Sequence, residues 1–262
     1  MHTTAGTLEA RSLIKRFGGI QVIHGVSLTV QPGQIVGYLG PNGSGKTVTT
    51  RMLTGLLEPN SGTVLYNGRD IDADLIDFRR HIGYVPEEPY LYPFLNGREY
   101  LQLVGRLRRL DEAILSSKIT ALLELFGIAH AADKGLDEYS KGMKQKVLIS
   151  AALLHDPDVL ILDEPESGLD VTSIVVLRHL VRLLAARGKA ILYSSHVLEA
   201  VEKVCHRVVV INQGRVVADD SVDQLTTLMQ TSSLEDAFAQ LVTKDNPLDV
   251  ARAIVEVAAQ RE

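Results

Sequence analysis

The chain has 262 residues, 45% hydrophobic and 23% charged, enough for one large core or two modest lobes. A net charge of −5 argues against a nucleic-acid-binding stripe; the only cluster of cations, Arg106, Arg108 and Arg109, is expected to be a solvated helix face. The lone cysteine, Cys205, excludes an intrachain disulfide, the eight histidines are scattered without metal-ligand spacing, and no run approaches the ~18 apolar residues that span a bilayer.

Met1 to Ala10 lacks an apolar h-region, so no signal peptide is expected. Leu8 to Ile14, Val22 to Val30 and Gln34 to Leu39 read as strands, separated by Gly18-Gly19 and Pro32-Gly33. Ile35 to Leu39 is apolar on both faces, as in a central parallel strand, and a helix is expected from Lys46 to Leu57. Residues 62–71 read as a hairpin turning at Asn67-Gly68.

Residues 97–155 have helical periodicity, with Leu101, Val104 and Leu107 on one face and Leu115, Ile119, Leu122, Leu123 and Phe126 on another. Strands follow at 159–162 and Ala190 to Ser194, around a long helix ending at Ala186 with Gly188 as its cap, and 207–218 reads as a hairpin at Gln213-Gly214. Ser232 with Glu235 spells a capping box before a face of Leu234, Phe238, Leu241 and Val242. A last helix from Asn246-Pro247 is expected to turn Val250, Ile254 and Val257 inward. Strands alternating with helices predict an α/β fold with a largely parallel sheet. The helical stretch between two strands predicts an inserted lobe.

Gly40-Pro41-Asn42-Gly43-Ser44-Gly45-Lys46-Thr47 matches the phosphate loop G-x-x-x-x-G-K-[ST] in full, between an apolar strand and a helix. Its glycines allow positive φ, so successive N–H groups and the helix N-terminus can cradle phosphate oxygens. Lys46 suits the β- and γ-phosphates and the Thr47 hydroxyl suits Mg²⁺. Val159 to Leu162 runs into Asp163-Glu164, which puts two acids at the carboxyl edge of a buried strand, where α/β folds bind ligands. Alone, that pattern also describes a strand ending in solvent. Beside a phosphate loop, Asp163 fits a Mg²⁺ ligand and Glu164 a base that polarises water.

Further segments resemble the nucleotide-binding domains of ATP-binding cassette (ABC) transporters. Tyr139-Ser140-Lys141-Gly142-Met143 is similar to the signature motif, Ser167-Gly168-Leu169-Asp170 to the D-loop and Ser195-His196 to the switch histidine. Tyr84-Val85-Pro86-Glu87 stands at the Q-loop, and Phe17 where an aromatic ring stacks on adenine. The resemblance implies a P-loop NTPase core with an N-terminal antiparallel β subdomain and an inserted helical subdomain at about 90–155, within a nucleotide-binding domain of residues 1–243. Residues 244–262 would form a helical tail.

It further implies two such subunits associating head to tail on ATP and Mg²⁺. Ser140 and Gly142 of one would cover ATP held by the phosphate loop of the other, Glu164 would polarise water and His196 would hold the γ-phosphate. Asp170 would link the sites, while Thr47, Glu87 and Asp163 would serve the metal. The partners implied are an integral membrane permease and a second nucleotide-binding subunit, at the cytoplasmic face of the membrane, with no nucleic acid. Two positions depart from the pattern: Glu87 replaces glutamine and Lys141 replaces glycine, but Lys46, Asp163, Glu164 and His196 are all kept, so ATPase activity is expected. Tyr-Ser-Lys-Gly-Met together with Pro-Glu-Glu-Pro resembles ATPase subunits of ABC-2-type exporters. The alternatives are a soluble cassette ATPase acting on DNA or the ribosome, which usually has a long coiled coil or a second cassette, and a non-hydrolysing regulatory module.

Overall fold

The computed structural model describes residues 6–231, 233–242 and 247–259. In chain order the elements are β1 (Leu8–Phe17), β2 (Ile20–Val30), β3 (Ile35–Leu39), α1 (Lys46–Leu53), β4 (Ser61–Tyr66), β5 (Arg69–Asp70), α2 (Leu75–His81) and β6 (Ile82–Val85). Then come α3 (Gly97–Leu107), α4 (Glu112–Leu125), α5 (Lys141–Leu153), β7 (Val159–Asp163), α6 (Val171–Ala186) and β8 (Ala190–Ser194). The chain continues through α7 (Leu198–Val204), β9 (Arg207–Asn212), β10 (Arg215–Ser221), α8 (Val222–Leu228), α9 (Leu234–Val242) and α10 (Pro247–Ala259).

Two sheets result. The antiparallel one has the order β2-β1-β4-β5, and the six-stranded one has the order β10-β9-β3-β8-β7-β6, parallel except at β10. Alternation along the central strands distributes side chains to two cores. Val36, Tyr38, Val159, Ile161 and Leu192 pack with Leu13, Ile23 and Val26 of the antiparallel sheet and Met52 of α1. Ile35, Leu39, Leu160, Leu162 and Ile191 pack beneath α5, α6 and α7, against Leu148, Leu177, Val181 and Val201. A third core, with Leu101, Leu115, Ile119, Leu123 and Leu136, holds α3 and α4 against Val147 and Ala151 of α5. The helical lobe is therefore inserted between adjacent strands β6 and β7, and α5 is shared between the second and third cores.

Several boundaries differ from expectation for local reasons. Helix α1 stops at Leu53 because Gly55 takes φ +67, and the amides of Leu56 and Leu57 turn back onto the Arg51 carbonyl. Leu107 is exposed rather than packed with Leu101. Arg106 and Arg109 are solvated as expected, but Arg108 is half-buried, with one guanidinium nitrogen wholly buried. Leu234 is buried and Phe238, Leu241 and Val242 pack on the second core, so α9 folds back on the helical face. Ser232, Asn246 and the side chain of Val250 lie outside the described residues; Ser233 caps α9, accepting from the Asp236 amide at 3.1 Å. In α10, Ile254 and Val257 are 63% and 68% exposed instead of inward, because that helix presents this face to solvent.

Candidate functional site

The phosphate loop leaves β3 at the carboxyl edge of the parallel sheet and enters α1. Gly43 and Gly45 take φ +77 and +106, conformations that side chains resist, and a Cβ at Gly40 would collide with the Ile211 carbonyl and the Ser44 hydroxyl. Lys46 is buried, and its ammonium donates to the carbonyls of Gly40 at 2.6 Å and Pro41 at 3.3 Å. Thr47 follows at the start of α1, with Oγ1 3.4 Å from Oε2 of Glu87, two residues beyond β6.

The two acids emerge from β7. Asp163 is fully buried; its Oδ2 accepts from Thr50 Oγ1 at 3.1 Å, whereas Oδ1 is buried without a hydrogen bond. Burial drives its carboxyl upward from the ordinary value, and the nearby Glu87 charge adds to that. Glu164 is 7% exposed, and burial raises its carboxyl too, opposed by His196 and Lys46. Its backbone has φ +49, rare for a residue with a side chain, and its N–H donates to the Ser194 carbonyl at 3.1 Å. His196 Nδ1 lies 2.8 Å from Glu164 Oε2.

Lys46, Thr47, Glu87, Asp163, Glu164 and His196 thus converge on one edge of one sheet. The unbonded Oδ1 of Asp163, the Thr47 hydroxyl and the Glu87 carboxylate that it meets are all hard-oxygen donors, the kind that fits a Mg²⁺ ion. Among the described residues no group of three or more His, Cys, Asp or Glu could hold a metal alone, so any such ion would also need the hydroxyl and oxygens from substrate and water.

Among the described residues no hydrogen bond or ion pair joins the remaining expected residues to this cluster. Ser140 caps α5, accepting from the Met143 amide at 3.2 Å, which leaves the first turn of α5 with a positive dipole end facing outward. Gly142 lies against the D-loop: a Cβ there would collide with the Gly168 carbonyl. Asp170 caps α6, with Oδ1 accepting from the Ser173 amide at 2.9 Å and Oδ2 from the Ser173 hydroxyl at 2.6 Å. Those two bonds, the hydroxyl first, hold its carboxyl down to about 2. Phe17 ends β1, 47% exposed as a residue, with the Lys15 ammonium 5.4 Å from its ring centre.

Sequence reasoning missed Thr50, Ser194 and Gln145. Thr50 stands four residues after Lys46, so helical spacing alone puts it on the same side of α1. Ser194 and Gln145, whose amide donates to the Pro165 carbonyl at 3.2 Å, have no motif to announce them.

The comparisons with known proteins point one way. The sequence model described as "ABC transporter" matches residues 23–167. An uncharacterised ABC transporter ATP-binding protein, YhcH of Bacillus subtilis (strain 168), is 36% identical, over 96% of this chain and 86% of its own length. The ABC transporter ATP-binding protein NatA of the same organism is 36% identical, covering 84% and 89%. The Nod factor export ATP-binding protein I of Burkholderia lata is 39% identical, covering 81% and 70%. A solved structure of the ATP-binding subunit of an ABC transporter superposes with a TM-score of 0.84 at 33% identity, over 89% of this chain and 98% of that one. With a phosphate loop, a paired-acid strand and an inserted helical lobe in that fold, the chain belongs to the ABC transporter family as an ATP-binding subunit.

Proposed function

We propose that the chain hydrolyses ATP to drive export through a separate membrane subunit. The observation that carries this reading is the convergence of Lys46, Asp163, Glu164 and His196 at the mouth of the phosphate loop. ATP would lie along Gly40 to Thr47 with its base against Phe17 and its phosphate charge against Lys46. Thr47, Asp163 and Glu87 would hold Mg²⁺, which on binding neutralises charge on the β- and γ-phosphate oxygens. Glu164, its carboxyl raised by burial, would accept the proton of the attacking water, and His196 would orient that carboxylate and hold the γ-phosphate.

Ser140 and Gly142 stand outside that cluster, which favours a site completed by a second subunit. The exposed N-terminus of α5 on one subunit would supply N–H donors to the γ-phosphate bound by the other, in head-to-tail association. Asp170, beside Gly142 through the D-loop, would connect the two sites.

Export is supported by the Nod factor export relative, and a membrane partner by the family. No helix among the described residues is long and apolar enough to cross a membrane, so that partner would supply the pathway and hold this subunit at the cytoplasmic face. A cavity of about 570 Å³ between the sheet and the helical lobe is the favoured docking groove. Arg51, Arg79, Tyr84, Tyr90, Val104 and Arg108 are among its lining residues.

Purified protein with Mg-ATP is expected to release phosphate, and Glu164→Gln to stop release while ATP still binds. A pull-down from membranes is expected to recover an integral membrane protein. No hydrolysis by the wild type even with that partner would refute the mechanism, and recovery of nucleic acid instead would favour a soluble cassette ATPase.

A further inference from the structure

The loop that follows β7 carries one acid more than the proposed chemistry uses. Glu166 sits two residues after Glu164 and is bonded away from the phosphate loop, toward α6 and β8. Arg178 of α6 meets it as a fork: Nε donates to Oε1 at 2.7 Å and an NH₂ group to Oε2 at 2.9 Å. The phenol of Tyr193 on β8 donates to Oε1 at 2.7 Å. Both charged side chains are largely buried, 12% exposed for Glu166 and 19% for Arg178, and Tyr193 is fully buried. Burial and the Glu166 charge push the Tyr193 phenol upward, so it remains a donor.

The loop is tied at other points as well. The Ser167 amide donates to the Glu164 carbonyl and the Leu169 amide to the Glu166 carbonyl, each at 3.1 Å, while Gln145 of α5 holds the Pro165 carbonyl. Glu164 itself is in a left-handed backbone state that its surroundings must maintain. Glu166 is the only loop side chain between Glu164 and Asp170 for which hydrogen bonds to both α6 and β8 are found among the described residues.

We propose that Glu166 is a positioning residue, clamped by Arg178 and Tyr193 so that the loop presents the Glu164 carboxylate to the phosphate loop and the D-loop to α5. Substrate is not touched by Glu166; its effect passes through the backbone of residues 164–170. A clamp of this kind acts on turnover and leaves nucleotide affinity alone, because Lys46 and the loop Gly40 to Thr47 do not depend on it. This inference rests on Glu164 being the base.

The test uses the full chain with Mg-ATP and four variants: Glu166→Ala, Glu166→Gln, Arg178→Met and the double variant Glu166→Ala/Arg178→Met. Removing Glu166 alone strands a largely buried guanidinium and lowers Tm; the double variant removes that burden and regains Tm. The clamp predicts that kcat nonetheless falls about tenfold or more in both, with KM for ATP changed by less than about twofold. Glu166→Gln, which keeps an acceptor for Tyr193, should recover part of kcat. A folded double variant with wild-type kcat, or a loss confined to KM, overturns the proposal.

Should the wild type release no phosphate, the reading of Glu164 fails, and hydrogen exchange still decides the clamp. The amides of Ser167 and Leu169 must exchange faster in the folded double variant than in the wild type. Unchanged exchange there overturns it.

Discussion

The carboxyl edge of the parallel sheet and the α5 N-terminus with its D-loop are built in opposite ways. At the sheet edge, chemically active groups are buried and face one another: Asp163 and Glu164 have their carboxyls raised by burial, and Lys46 is buried beside them. At the α5 side, Ser140 and Asp170 spend their side chains on capping α5 and α6, and Gly142 fills a backbone contact. Under the proposed function the first region would hold the substrate, and the second is a platform completed only against another subunit. The difference follows from desolvation, since buried charges must be matched by a ligand or by each other, while an exposed helix end keeps its dipole available to whatever approaches.

The largest test of this contrast lies in the first region. Glu164→Gln is expected to cut turnover about a hundredfold or more while leaving ATP affinity near the wild-type value, measured by phosphate release and by titration. Equal loss of both would mean that Glu164 binds nucleotide rather than acting as a base.

Gly142→Ala probes the platform. Its new Cβ must displace the Gly168 carbonyl, and turnover should fall roughly tenfold with ATP affinity kept. Mixing this variant with Glu164→Gln should restore activity, because one site of a mixed pair joins an intact base to an intact platform. Failure of the mixture to recover would place both regions in a single subunit's site.

Phe17→Ala should weaken ATP binding about fivefold, the low end of base stacking on an aromatic ring, with kcat unaltered at saturation. An unchanged affinity would leave the ring as part of the β1–β2 edge only.

The smallest effect concerns Asp170. Its folded carboxyl titrates at about 2, below the ordinary 3.8, so its stabilisation is present above pH 3.8 and is lost as pH falls toward 2. The Tm difference between wild type and Asp170→Asn should therefore be small but positive near neutral pH and vanish in strong acid. Because the group is exposed, salt should shrink it further. A difference that grew in acid would contradict the capping role.

How much was legible in the sequence varies with the kind of interaction. The apolar pattern was sufficient for the strands at 35–39, 159–162 and 190–193, because a strand buried on both faces is apolar almost throughout. It was insufficient for Leu107, Arg108, Ile254 and Val257, whose burial depends on whether another element covers that face. A cap such as that of Ser140 at the start of α5 is by contrast a local bond, reaching only to the Met143 amide. The end of α1 was placed too late because the left-handed turn at Gly55 interrupts an apolar run that continues past it.

The amino-acid sequence by itself determined the phosphate loop, the paired acids and their order along the chain. Those features depend on backbone freedom and charge at neighbouring positions, which are local properties. Only the tertiary structure decided that Thr50 would reach Asp163, that His196 would sit against Glu164, and that Gly142 would press on Gly168. The same holds for Glu166, Arg178 and Tyr193, spread over 27 residues between Glu166 and Tyr193 but brought within hydrogen-bonding distance by α6 and β8. Contacts of that kind are set by how the sheet stacks beneath its helices, a packing outcome that no local pattern encodes.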